Sequence, residues 1–233
     1  MPLPTIETPK YPVTIPSSKK KTFFRPFLMK EQKILFMALE SENQEQIFHA
    51  ICDIVKNCVS DVPNPATMPM FDLEYLFTKI RAKSVGEFIE VKVKCPNCQK
   101  SMETSVELET VDVEFPSGIT NKVMINQSVG IILRYPSLKD TMKDLDNLGA
   151  DGVVKFICES IESVFDNENV YTKKDFTDQE IGTFVESMNV SQFEEIAKFY
   201  KNLPQLKKTV NCNCISCKSD FTIDFRGLQD FFT

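Results

Sequence analysis

The chain reads as an α+β protein: an N-terminal helical region, then a β unit split in two by a mixed α/β insertion. Three observations predict this. Apolar residues recur at helical spacing through residues 27–84 and again beyond 138. After residue 86 the period becomes two, the mark of strands with one buried face. Two Cys-x2-Cys pairs, Cys95-Pro96-Asn97-Cys98 and Cys214-Ile215-Ser216-Cys217, each lie between strand-like runs, with residues 99–213 separating them.

Residues 1–26 are expected as an extended N-terminal arm. Pro2, Pro4, Pro9, Pro12 and Pro16 punctuate it, and proline fixes φ and removes a donor, which excludes a helix or a central strand. A purely solvated tail has no need of Ile6, Tyr11, Val13 and Ile15, so these are candidate anchors on a neighbouring subunit. Residues 27–85 form the helical region. Its first helix is predicted at about Leu28–Leu39, on Phe27, Ile34, Leu35 and Ala38. The second carries Ile47, Ile51, Ile54, Val55 and Cys58 and ends before Val62-Pro63-Asn64-Pro65. The third starts from Asp72 as N-cap, with Leu73, Leu76, Phe77 and Ile80 as its stripe.

Residues 86–109 hold the first half of the β unit. Ile89, Val91 and Val93 alternate with polar neighbours into the first cysteine pair, and Met102, Thr104, Val106 and Leu108 lead out. Residues 110–205 are the insertion. Strands are predicted at 110–115, 122–126 and 130–135, and a charged helix at 138–147. An amphipathic helix follows on Val153, Val154, Ile157, Cys158, Ile161, Val164 and Phe165. Two capped helices complete the block: Thr177 with Glu180 three residues on, and Ser191 with Glu194. Residues 206–233 return to β character around the second cysteine pair and end in the apolar tail Leu228–Phe232. Phe23, Phe24, Phe231 and Phe232 read as exposed aromatics and further candidate partner contacts.

Four thiolates are the ligand set of a closed structural zinc site, and strands flanking both knuckles make the unit zinc-ribbon-like. Cys95, Cys98, Cys214 and Cys217 are the candidate ligands of a structural Zn2+. Ordinary ribbons separate their pairs by roughly 15–20 residues. Here the ribbon is discontinuous, and the metal would staple the two ends of a long insertion, where a clip stabilises most. Cys212 offers a third nearby thiol, but spacing favours Cys214. Lys92, Lys94, Lys100, Lys207, Lys208 and Lys218 surround the knuckles and would offset the negative charge of a zinc–tetrathiolate centre. A redox dithiol would open a helix; here the chain continues as strand. Cys52, Cys58 and Cys158 lie in helical segments and read as small buried hydrophobes. His49 has no partner at ligand spacing and reads as a surface histidine.

Composition narrows the function. Of 233 residues, 42% are hydrophobic and 26% charged, with a net charge of −6, which argues against a broad nucleic-acid surface. Glycine is scarce, at 7 residues, and neither G-x-x-x-x-G-K nor G-x-G-x-x-G occurs, so phosphate binding by those devices is unsupported. No apolar run reaches the roughly 18 residues of a membrane span, and the N-terminus lacks the apolar core of a signal peptide. Reduced thiols are the expectation, and eight cysteines this sparse favour metal over disulfides. No nucleophile–base arrangement emerges, so an enzyme is not expected. The rival reading is a zinc-ribbon nucleic-acid-binding or transcription-associated module using the lysines around the knuckles.

The whole layout carries a resemblance. The opening Met1-Pro-Leu-Pro-Thr-Ile-Glu-Thr-Pro-Lys-Tyr-Pro, the run Phe24-Arg-Pro-Phe-Leu-Met-Lys-Glu-Gln-Lys-Ile-Leu, the two knuckles and the terminal Asp230-Phe-Phe resemble the baseplate hub subunit family of T-even-like contractile-tailed phages. The resemblance implies a structural virion protein, made late, assembled in the host cytoplasm and located in the tail baseplate. It implies other hub and tail proteins, and further copies of this chain, as partners. It brings no catalytic residues to carry over.

Overall fold

The computed structural model describes residues 7–118, 120–141 and 149–232. Ile6 lies outside the described residues, as does most of the charged helix expected at 138–147, of which only its start is described. Among the described residues no helix is long and apolar enough to cross a membrane. The fold is mixed α+β with several small sheets, and it divides into two compact units: Met1–Glu114 with Gln205–Thr233, and Phe115–Pro204.

The first unit opens with a hairpin, β1 (Tyr11–Thr14) and β2 (Lys21–Phe24), paired antiparallel from Tyr11↔Phe24 to Thr14↔Lys21. Within the extended arm expected over residues 1–26, residues 11–24 thus fold back as a hairpin. Period-two alternation puts Val13, Thr22 and Phe24 on one face, and that face is buried in the chain's own core, as is Ile15. Backbone bonds from Arg25 N–H to Cys58 C=O and from Ser60 N–H to Phe23 C=O tie β2 to the end of the second helix. Phe23, on the other face, stays 53% exposed.

Three helices follow: α1 (Met29–Glu40), α2 (Gln44–Cys58) and α3 (Met70–Ser84). Asp72 is not the N-cap of α3. It sits inside the first turn, where a carboxylate suits the positive helix end, and accepts from Ser17 N–H at 3.0 Å and from the Ser17 hydroxyl. A buried acceptor thus fastens the hairpin turn to α3. Ile54, Leu73, Leu76, Ile80, Leu108 and Leu206 form the centre of this unit's core.

Two further hairpins complete the unit. Strands β3 (Phe88–Lys94) and β4 (Ser101–Glu107) form one two-stranded sheet. Strand β5 (Asp112–Glu114) pairs with β10 (Gln205–Asn213), which pairs with β11 (Asp220–Arg226). So β5, read as part of the insertion, shares a sheet with the C-terminal half. The tail is helical, α8 (Gly227–Phe232). It buries Leu228 and Phe231, and Phe231 stacks 5.8 Å from Phe225. Phe231 is therefore not exposed. The backbone of Phe232 lies in α8 and its side chain falls outside the description.

The second unit is a four-stranded antiparallel sheet, β6 (Lys122–Met124), β7 (Gly130–Leu133), β8 (Ile161–Phe165) and β9 (Val170–Thr172), with α4 (Leu138–Thr141), α5 (Ala150–Ser160), α6 (Asp178–Glu186) and α7 (Val190–Lys201). Ile131, Leu133, Ile157, Ile161, Ile196 and Phe199 fill its core. The amphipathic helix expected to run to Phe165 stops at Ser160. Ile161, Val164 and Phe165 are β-branched or aromatic, and the ladder Ile131↔Val164 claims them as strand. Gly130 permits this pairing: a Cβ there would sit 2.2 Å from the Phe165 ring. The Thr177–Glu180 capping box forms. The second box is Asn189–Gln192 rather than Ser191–Glu194, because asparagine caps as well as serine.

Candidate metal centre

The two cysteine pairs sit on loops built alike. The β3–β4 ladder ends at Lys94↔Ser101 and the β10–β11 ladder at Asn213↔Asp220, leaving six-residue loops 95–100 and 214–219. In each, the first cysteine's N–H bonds the carbonyl five residues on: Cys95 to Lys100 at 3.0 Å and Cys214 to Ser219 at 2.9 Å. In each, the residue after the second cysteine returns a bond to the first cysteine's carbonyl, Gln99 at 2.9 Å and Lys218 at 2.8 Å. Gln99 and Lys218 both adopt left-handed φ, 61° and 56°. That conformation costs roughly 1–2 kcal/mol outside glycine, and both loops bear it to turn two sulfurs the same way.

The hairpins place the four sulfurs together. The Sγ atoms of Cys95, Cys98, Cys214 and Cys217 all lie within 4.8 Å of one another. Across the loops, Cys95 is 3.7 Å from Cys217 and Cys98 is 3.6 Å from Cys214. Four ligands at about 2.3 Å from zinc span tetrahedron edges of roughly 3.8 Å, so the spacing fits a site of four cysteine thiolates. It does not fit disulfides, whose sulfurs sit at about 2.05 Å. Cys95 and Cys214 are buried, Cys98 is half-buried and Cys217 is exposed.

The electrostatics match a group of thiols sharing charge. The Cys98 N–H, the Ser219 hydroxyl and the Asn97 N–H hold Cys95 below its usual value against the cost of burial. The Ser219 hydroxyl and N–H draw Cys217 down to about 6. At Cys98 the Lys100 N–H is outweighed by burial and by the neighbouring thiols, and the thiol rises to about 11. Four thiolates cannot share this space alone; a divalent cation would let all four ionise. Ser219 is a contributor that sequence reasoning missed. Its hydroxyl lies 3.0 Å from Cys217 Sγ and 3.7 Å from Cys95 Sγ. Only its place in the loop, equivalent to Lys100, hinted at it.

The other cysteines stay apart. Cys212 is buried and its thiol faces the Thr104 hydroxyl at 3.6 Å, outside the cluster. Burial raises the Cys52 and Cys58 thiols to about 11, as expected of small core hydrophobes. His49 is exposed and lies 3.7 Å from Glu45 on its own helix. Lys207 pairs with Glu114 at 2.7 Å and with Asp224 at 3.5 Å, so this knuckle lysine is committed to its own sheet. Of the candidate partner contacts, Phe23 and the half-buried Tyr11 reach solvent, whereas Val13, Ile15, Phe24 and Phe231 do not.

No curated protein and no solved structure matches the chain. A family model described as T4 bacteriophage base plate protein matches residues 8–233. That match spans the two hairpins that carry the knuckles and all four clustered cysteines, and it reaches into both compact units. The chain therefore belongs to the T4 bacteriophage base plate protein family, and its place is the virion tail.

Proposed function

We propose that the chain is a non-enzymatic structural component of the baseplate hub, acting through protein–protein contacts and stapled internally by a structural zinc. The convergence of Cys95, Cys98, Cys214 and Cys217 on tetrahedral spacing carries the zinc reading. Bound there, zinc would have four protein ligands and no open position, the pattern of a structural rather than a catalytic site. The chain's own residues explain the need for it. The β3–β4 hairpin and the β5–β10–β11 sheet share no strand pairing. The cation would join them, making a discontinuous zinc ribbon whose halves lie far apart in sequence. Elemental analysis of purified protein should find about one zinc per chain, lost in Cys95→Ser or Cys217→Ser. A metal-free, fully folded protein would end this reading.

The hub assignment rests on family membership together with the resemblance carried by the N-terminal runs. Among the described residues of the proposed N-terminal contact set, Tyr11 and Phe23 are the accessible members. Cross-linking of intact tails should join this chain to proteins at the centre of the baseplate. Cross-links confined to its periphery would sink the hub assignment while leaving the zinc reading untouched.

A further inference from the structure

The second half of helix α1, residues 34–39, is an unbroken apolar run that puts apolar residues on every side of the helix, yet it sits at the surface. Leu28, Met29, Ile34, Phe36, Met37 and Leu39 are between 40% and 77% exposed, and Ala38 is the one buried apolar residue of the helix. Scaled to side chains of roughly 200 Å², Met29, Phe36 and Met37 alone open on the order of 400 Å² on one face, about half of the 800 Å² per partner in a standard interface. A helix with apolar residues on every side belongs in a buried setting. Beside it, α1, α2 and α3 enclose an apolar groove of about 520 Å³, walled by Leu35, Phe36, Ile47, Phe48 and Val85.

The charge pattern says what covers it. Met29, Lys33, Phe36, Met37 and Glu40 recur at i, i+4, i+7, i+8 and i+11, one face of the helix. All five are exposed. Lys33 and Glu40 stand symmetrically about the point between Phe36 and Met37. A second α1 laid antiparallel across this face would place Phe36 against Met37 of its partner. Each Lys33 would then oppose the other chain's Glu40, and the helix dipoles would also oppose. Such a patch is self-complementary, as a two-fold interface requires. We infer that two copies of this chain associate through an antiparallel α1–α1 contact centred on Phe36 and Met37. The inference rests on this surface alone and is independent of the zinc.

The test is the solution mass of the full-length protein at tens of micromolar, by sedimentation equilibrium. The wild type should weigh twice the 26.7 kDa chain mass. Phe36→Glu combined with Met37→Glu should weaken the dimer at least a hundredfold with an unchanged circular dichroism spectrum. Lys33→Glu and Glu40→Lys should each weaken it severalfold, and the double reversal should restore it. A monomeric wild type overturns the inference, including one that instead binds another baseplate protein through α1. So does a dimer indifferent to the Phe36 and Met37 changes. Failure of the double reversal to restore affinity overturns the antiparallel arrangement.

Discussion

Cys212 and Cys214 lie two positions apart on either side of the end of β10, and their different fates show how finely the hairpin sorts its side chains. Cys214 opens the loop and joins the cluster, while Cys212 stays in the ladder opposite Phe221. Cys212→Ser should therefore keep about one zinc per chain by elemental analysis, and loss of metal would mean that Cys212 is a ligand. A second residue-scale device lies in the other unit. Arg134 meets Asp140 through Nη2 at 2.9 Å, and Asp140 also accepts from Ser137 N–H at 2.8 Å and its hydroxyl at 2.7 Å. Burial alone would raise this carboxyl, but Arg134 and Ser137 outweigh it and hold it well below the ordinary carboxylate range. A depressed folded-state value means stability that is present above about pH 4 and lost as pH falls. Asp140→Asn should cost roughly 2–3 kcal/mol at pH 7 by leaving a half-buried guanidinium unpaired. It should also flatten the acid loss seen in urea unfolding between pH 5 and 3.

At the scale of elements, capping and terminal docking set most of the local stability. Thr177 caps α6 and the Glu180 carboxylate accepts from Thr177 N–H at 2.7 Å. Thr177→Ala should lower the stability of its unit by about 1 kcal/mol, read as a fall in melting temperature. The C-terminal helix is held by a different means. Gly227 takes φ +61°, where a side chain would be strained, and turns β11 into α8 so that Leu228 N–H meets Glu74 Oε1 at 3.3 Å. Glu74 keeps some accessible surface, yet the crowding of protein around its carboxyl pushes it up to about 7 against the help of Leu228 N–H. A raised value runs the other way from Asp140: the folded state favours the neutral acid, and stability falls as pH climbs from the unfolded value through 7. Glu74→Gln should be nearly silent at pH 5 and stabilising by about 1 kcal/mol at pH 8.5, measured by chemical denaturation at both values. An equal effect at both would show that titration of Glu74 is not the cause.

On the scale of the whole molecule, the second unit is an insertion with adjacent ends. Glu114 and Gln205 are register partners in the β5–β10 ladder, so their Cα atoms sit about 5 Å apart. Replacing residues 115–204 with a two-residue Asn-Gly turn should leave the first unit folded and able to hold about one zinc. An unfolded or metal-free product would show that the units depend on each other. Much of this architecture was legible in sequence. The helical stripes of 27–84, the period-two runs beside each knuckle and the Thr177 box are local patterns, and local sterics and hydrogen bonding decide them. The cysteine cluster was legible too, because ligand spacing within a loop is a local property. Four outcomes were decided only by tertiary structure. Val13, Ile15, Phe24 and Phe231 turned inward because a hairpin and a terminal helix found apolar seats on the chain itself. Ile161–Phe165 became strand because β7 offered a ladder. Asp72 became a buried acceptor because Ser17 came to it from 55 residues away. Helix α1 kept its apolar surface exposed because nothing among the described residues of its unit covers it. The sequence alone determined the helical stripes of 27–84, the strands beside the knuckles and which residues could bind metal. Which apolar faces pair and which stay open depended on long-range burial, since a side chain's hydrophobicity is indifferent to whether its cover comes from its own chain or another.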